Sequence, residues 1–243
     1  MKAIETIALK KSFGSKEAVR GIDLSVERGE LFALLGVNGA GKTTTIRMLC
    51  CLSRPTQGDA LVLGHSVLHE PQEVKKRINL SPQETAVAPN LTVRENLELI
   101  ARIYGAGKSR AVEKAGEIIA ALSLEEVEHS RAKTLSGGWQ RRLSIAMALI
   151  TGPEVLFLDE PTLGLDVLAR RELWAALKKI KGRITMVLTT HYMEEAEALS
   201  DRIAVMIKGE LCALGTAGEL EAQTGTDHLE DAFVAIAERG NGL

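Results

Sequence analysis

Residues Gly36–Thr44 read GVNGAGKTT, and this segment restricts the fold more than any other in the chain. Gly36-Val37-Asn38-Gly39-Ala40-Gly41-Lys42-Thr43 satisfies the pattern GxxxxGK[ST] in full. Its glycines let the backbone curl until successive N–H groups face phosphate oxygens. In that arrangement Lys42 reaches the β- and γ-phosphates and Thr43 ligates Mg2+. The loop requires a buried strand before it and a helix after it. Leu31–Leu35 is apolar throughout, as in a strand covered on both faces. A helical pattern from Lys42 to Leu52 follows, and its positive N-terminal end adds to the anion site.

A second acidic site fits the same frame. Val155-Leu156-Phe157-Leu158-Asp159-Glu160 is an apolar strand ending in two carboxylates. In open parallel sheets ligands bind at the carboxyl ends of strands. Asp159 is placed to hold Mg2+, directly or through water. Glu160 is placed to polarise an attacking water as general base. Alone, such a pair reads as solvated carboxylates at a strand end; beside a phosphate loop it reads as chemistry.

The rest of the chain supplies alternating strands and helices. Ile4–Leu9, Ile22–Val26 and Leu31–Leu35 read as strands broken by Gly14, Gly21 and Gly29. From about Glu70 to Lys133 helix formers dominate. There Thr92 caps a helix running to about Tyr104, with Glu95 as capping-box partner. Gly105 and Gly107 stop it, and Ser109 opens another helix to about Leu122. This stretch reads as a helical lobe inserted into a sheet-based core. Strand Val155–Leu158, helix Val167–Ile180, strand Ile184–Thr189 and helix Tyr192–Leu199 then alternate, followed by strands Ile203–Ile207 and Leu211–Leu214. That order predicts a largely parallel sheet covered on both faces. Leu229–Glu238 reads as an amphipathic helix packing on the body.

Composition excludes several classes. The 243 residues fit one large domain, or one domain with a smaller lobe. Net charge is -2, so no global basic field invites nucleic acid, and no nucleic-acid partner is expected. Cys50, Cys51 and Cys212 are the only cysteines; an odd number with two adjacent makes a disulfide framework a poor reading. No apolar run approaches the roughly 18 residues of a membrane helix, and the start MKAIETIALKKSF lacks the apolar core of a secretory signal.

A third motif separates families that share the phosphate loop. Leu135-Ser136-Gly137-Gly138-Trp139-Gln140 precedes a helical pattern from Arg141 to Ile150. It resembles the signature motif of ABC ATPases, although Trp139 stands where many members have Gln. Physically, Ser136 and the glycine N–H groups form another anion site at a helix start. Other positions match that family in order. Phe13 resembles the aromatic residue that stacks on adenine, although a Phe at a strand end serves a core equally well. Gln83, in Leu80-Ser81-Pro82-Gln83, resembles the glutamine that contacts Mg2+ and the attacking water. Asp166, in PTLGLD, resembles the D-loop aspartate, and His191 resembles the switch histidine that contacts the γ-phosphate.

The resemblance implies an α/β P-loop NTPase of the ABC ATPase fold: a RecA-like core, an antiparallel β subdomain and an inserted helical subdomain. It implies a single nucleotide-binding domain over 1–243, with the helical part at about 84–150 and a tail at about 225–243. It implies ATP and Mg2+ as ligands. Phe13, Gly36, Asn38, Gly39, Ala40, Gly41, Lys42, Thr43, Thr44, Ser136, Gly137, Gly138 and Asp166 would contact nucleotide. Glu160, His191 and Gln83 would act in hydrolysis, and Thr43, Gln83 and Asp159 at the metal. It also implies a head-to-tail dimer of identical subunits, with each ATP between the phosphate loop of one and the Ser136–Gly138 turn of the other.

Among such proteins the chain looks like the ATPase subunit of a membrane transporter. It would bind a transmembrane permease and lie in the cytoplasm, peripheral at the inner face of the cell membrane. The GVNGAGKTT loop, the LSGGWQRRLSIAMALI stretch, the PTLGLD turn and the tail Leu229-Glu230-Asp231-Ala232-Phe233 resemble ATPases of ABC-2-type exporters, with sodium- and drug-extruding members nearest. An importer ATPase and a soluble iron–sulfur assembly ATPase are the alternatives. Chromosome and repair ATPases are set aside, because the interval from Gln83 to Ser136 has no room for their coiled-coil or zinc insertions.

Overall fold

The computed structural model describes residues 1–240; the last part of the expected tail, 241–243, lies outside the described residues. Two sheets organise the chain. The first elements are β1 (Lys2–Phe13), β2 (Lys16–Ile22), β3 (Ser25–Glu27), β4 (Leu31–Leu35) and α1 (Lys42–Leu49). Next come β5 (Gln57–Val62), β6 (His65–Ser66), α2 (Pro71–Lys75) and β7 (Ile78–Ser81). Helices α3 (Val93–Ile103), α4 (Lys108–Ala121) and α5 (Gly137–Leu149) follow. The chain then runs through β8 (Val155–Asp159), α6 (Val167–Ile180), β9 (Thr185–Thr190), α7 (Met193–Leu199), β10 (Arg202–Ile207) and β11 (Glu210–Gly215). It finishes in α8 (Ala217–Thr224) and α9 (Leu229–Gly240).

The central sheet has the order β11-β10-β4-β9-β8-β7. Its pairings are parallel except for the edge hairpin of β10 and β11. Strand β4 shows why this sheet reads as uniformly apolar. Leu31, Ala33 and Leu35 enter one core and Phe32 and Leu34 the other, so both faces are buried. The first core extends through α5 and α6 into α3 and α4. The second lies between the central sheet, α1 and a small antiparallel sheet of order β2-β1-β5-β6, with β3 also on β1.

The structure departs from the sequence reading at several places. A single strand over Ile22–Val26 does not form; β2 ends at Ile22 and β3 begins at Ser25. The break is set by Thr6, whose hydroxyl donates to the Ile22 carbonyl and accepts from the Leu24 N–H, each at 2.8 Å. The helical stretch from Glu70 is interrupted by β7, which pairs with β8 at the edge of the central sheet. Helix α1 stops at Leu49 rather than Leu52, where Cys51 takes a positive φ of 55°. Helix α5 starts at Gly137, not Arg141, with Ser136 as its N-cap. Strands β5 and β6 and helix α8 are additional elements. In the tail, Leu229, Ala232, Phe233 and Ile236 are buried against the body.

Candidate functional site

The phosphate-binding loop leaves β4 and turns into α1 at Gly41. Gly41 has φ 105°, and a Cβ there would meet the Ala18 carbonyl oxygen at 2.5 Å, so the turn demands glycine. The N–H groups of Lys42, Thr43 and Thr44 open α1, and an α-helix offers its first N–H groups no intrahelical acceptor. They are therefore available to an anion at the positive end of the helix.

Lys42 is 5% exposed. Its ammonium donates to the Gly36 carbonyl at 2.7 Å and the Val37 carbonyl at 3.3 Å, and lies 3.1 Å from Glu160 Oε1. Glu160 Oε2 lies 2.8 Å from His191 Nδ1. Glu160 thus stands between a cation and an imidazole, with both carboxylate oxygens engaged. Its backbone has φ 47°, a conformation unusual for a side chain of this size. The Glu160 N–H is held there by the Thr189 carbonyl at 3.2 Å and the Thr189 hydroxyl at 3.0 Å.

Asp159 precedes it at the end of β8. Its Oδ1 accepts from the Thr43 hydroxyl at 3.0 Å and from the Thr189 hydroxyl at 2.6 Å. Thr189 therefore fixes the Asp159 carboxylate and the Glu160 backbone at once. The sequence reading missed this residue; it is one of three threonines in β9, which reads TMVLTT, and nothing local singles it out.

Lys42, Glu160 and His191 line one cleft of about 470 Å3, while Asp159 is not in its lining and is tied to it through the Thr43 hydroxyl. Asn38, Gly39, Ala40, Gly41, Lys42, Thr43, Thr44, Gln83, Glu160 and His191 surround its phosphate end, and Phe13, Lys16 and Ala18 lie along it. Phe13 is 55% exposed, so it belongs to the rim of the cleft rather than to a core. Lys16, Ala18 and Leu163 are lining residues that the sequence reading did not name. The donor set fits Mg2+: Thr43, Asp159 and Gln83 offer oxygen ligands only, as hard divalent ions prefer. Among the described residues no three His, Cys, Asp or Glu side chains form a metal cluster.

The remaining predicted residues lie elsewhere. Ser136, Gly137, Gly138 and Asp166 do not line the cleft. Asp166 caps α6 by accepting from the Ala169 N–H at 2.9 Å. A Cβ at Gly138 would stand 2.8 Å from the Ala169 Cβ, so glycine lets the start of α5 press against the start of α6. One chain therefore carries two separate clusters: the cleft, and a turn that is not part of its lining.

The sequence matches the ABC transporter family over residues 19–163. It is 44% identical over 239 residues to the daunorubicin resistance ATP-binding protein DrrA3 of Streptomyces coeruleorubidus, covering 98% of this chain and 75% of that one. It is 42% identical over 217 residues to the human phospholipid-transporting ATPase ABCA3, covering 88% of this chain and 13% of that much longer one. The fold matches the dimeric post-hydrolysis state of an ATP-binding cassette bound to ADP and Pi. That match has TM-score 0.76 and 26% identity and covers 88% of this chain and 98% of that one.

Proposed function

The chain belongs to the ABC transporter family as an ATP-binding, ATP-hydrolysing cassette, and from that premise we propose that it drives an ABC-2-type export permease as one half of a cassette dimer. The observation that carries this reading is the division of the predicted site residues into two clusters. The cleft holds the phosphate loop, Glu160 and His191; the Ser136–Gly138 turn lies outside it. A second, identical chain placed head to tail would bring its turn onto the nucleotide held here.

In this reading the domain spans 1–243, with the helical insertion at about 84–150 and the tail at about 225–243. The phosphate loop and Lys42 bind the triphosphate, and Phe13 stacks on the adenine. Thr43, Asp159 and Gln83 would hold Mg2+, which neutralises phosphate charge when bound. Glu160 accepts the proton of the attacking water. His191, bonded to Glu160, orients that carboxylate and faces the γ-phosphate. Closure of the dimer on ATP and reopening after hydrolysis is a ligand-driven population shift that a membrane partner can harness.

Among the described residues no helix is long and apolar enough to cross a membrane, so the transport path belongs to the permease. The chain would sit on its cytoplasmic face. One relative named above is a daunorubicin resistance protein and the other a phospholipid-transporting ATPase, which supports placing cargo choice on the permease. The test is affinity capture of the tagged chain from detergent-solubilised membranes of its own host. The expected outcome is stoichiometric recovery of a multi-span membrane protein. Recovery with soluble proteins alone would contradict the export reading.

A further inference from the structure

Helix α5 carries a buried arginine whose bonds all run to the backbone of two other segments. Arg141 is 3% exposed. Its Nε donates to the Pro161 carbonyl at 2.8 Å, and its Nη2 donates to the Asp159 carbonyl at 2.8 Å. Its Nη1 donates to the Pro82 carbonyl and, at 3.2 Å, to the Gln83 carbonyl. The planar guanidinium thus bridges the loop that bears Gln83 and the strand end that bears Asp159 and Glu160.

We propose that Arg141 is a positioning residue that sets the spacing between Gln83 and the Asp159–Glu160 pair and couples both to the Ser136–Gly138 turn. This rests on the reading that the turn completes a partner's site and that Glu160 acts in hydrolysis.

Three features support the assignment. Ser136 caps the helix five residues before Arg141, a rise of about 7.5 Å along one rigid element. Movement of the turn against a partner's nucleotide is therefore carried directly to the guanidinium. A second tie runs in parallel: the Ser144 and Ser81 hydroxyls, from α5 and β7, lie 3.4 Å apart. Finally, among the described residues Arg141 makes no hydrogen bond to a carboxylate side chain. A buried charge is a poor device for stability alone, since apolar packing serves as well. The directional fork of arginine is suited to fixing several carbonyls in one geometry.

The test uses the purified full-length chain and its Arg141→Lys variant, which keeps the charge but loses the fork. ATP affinity is expected to stay at the wild-type value, because Arg141 touches no cleft surface. The kcat for ATP hydrolysis is expected to fall roughly 10–100-fold, the scale of a misplacement of about 1 Å. KM should change little, and the Hill coefficient for ATP should fall toward unity. A purely structural arginine would instead lower the melting temperature and leave the kcat of the folded fraction unchanged; that result overturns the proposal. If Arg141→Lys does not fold, Arg141→Met carries the same test, and failure of both to fold also overturns it. Glu160→Gln is assayed alongside. If it stalls hydrolysis while folded Arg141→Lys turns over normally, only this inference fails. If neither slows hydrolysis, the underlying reading of the site fails.

Discussion

Glu195 shows what a single side chain does when the fold buries it near the cleft. It is fully buried on α7, and its Oε1 accepts from the Trp174 indole N–H at 3.3 Å. Burial raises its pKa above the ordinary value of 4.5, and the hydroxyls of Thr190 and Thr162 and the Trp174 indole counter only part of that rise. A carboxyl with a raised folded pKa takes up protons on folding, so stability falls as pH climbs from the unfolded value through the raised one. Glu195→Gln removes that dependence. The variant's melting temperature is expected to gain on wild type as pH rises from about 5 to about 8; a difference that stays constant would contradict the account. Lys42, Asp159, Glu160 and His191 were legible in the sequence because each occupies a fixed place in a motif. Thr189, Arg141 and Glu195 were not, because their roles come from contacts made across 18 to 59 positions of chain. No local pattern records such contacts.

At the scale of elements, local signals worked where they were strong. Thr92 and Glu95 form a complete capping box: the Glu95 N–H donates to the Thr92 hydroxyl at 3.2 Å, and the Thr92 N–H donates to the Glu95 carboxylate at 2.8 Å. Thr92→Ala removes one half of it. The expected cost is about 1 kcal/mol, or a drop of about 2–4 °C in melting temperature for a chain of this size. An unchanged melting curve would show that α3 does not depend on its cap. The parallel strands around the loop were equally legible, since each carries an apolar run. Strand β7, with the sequence INLS, was not: four residues with a polar Asn79 leave no period to read, and only pairing with β8 makes it a strand. The misplaced start of α5 has a related cause. Gly137 and Gly138 are weak helix formers, yet both lie in the first turn of α5, and a Cβ at Gly138 would stand 2.8 Å from the Ala169 Cβ.

For the whole molecule, the architecture followed from the order of motifs, but the reason for it appears only in three dimensions. The Ser136–Gly138 turn does not line the cleft that holds the phosphate loop, and in the proposed reading a second chain's turn completes each site. The account therefore stands on assembly, and Glu160→Gln tests it most directly, because blocking proton abstraction should hold the closed state. The measurement is the molar mass of full-length Glu160→Gln by sedimentation, with and without ATP and Mg2+. The account predicts a monomer without nucleotide and a stable dimer with ATP that disappears when Ser136→Arg is added to the same chain. A chain that remains monomeric with ATP, or one that hydrolyses ATP at the wild-type rate, would contradict it.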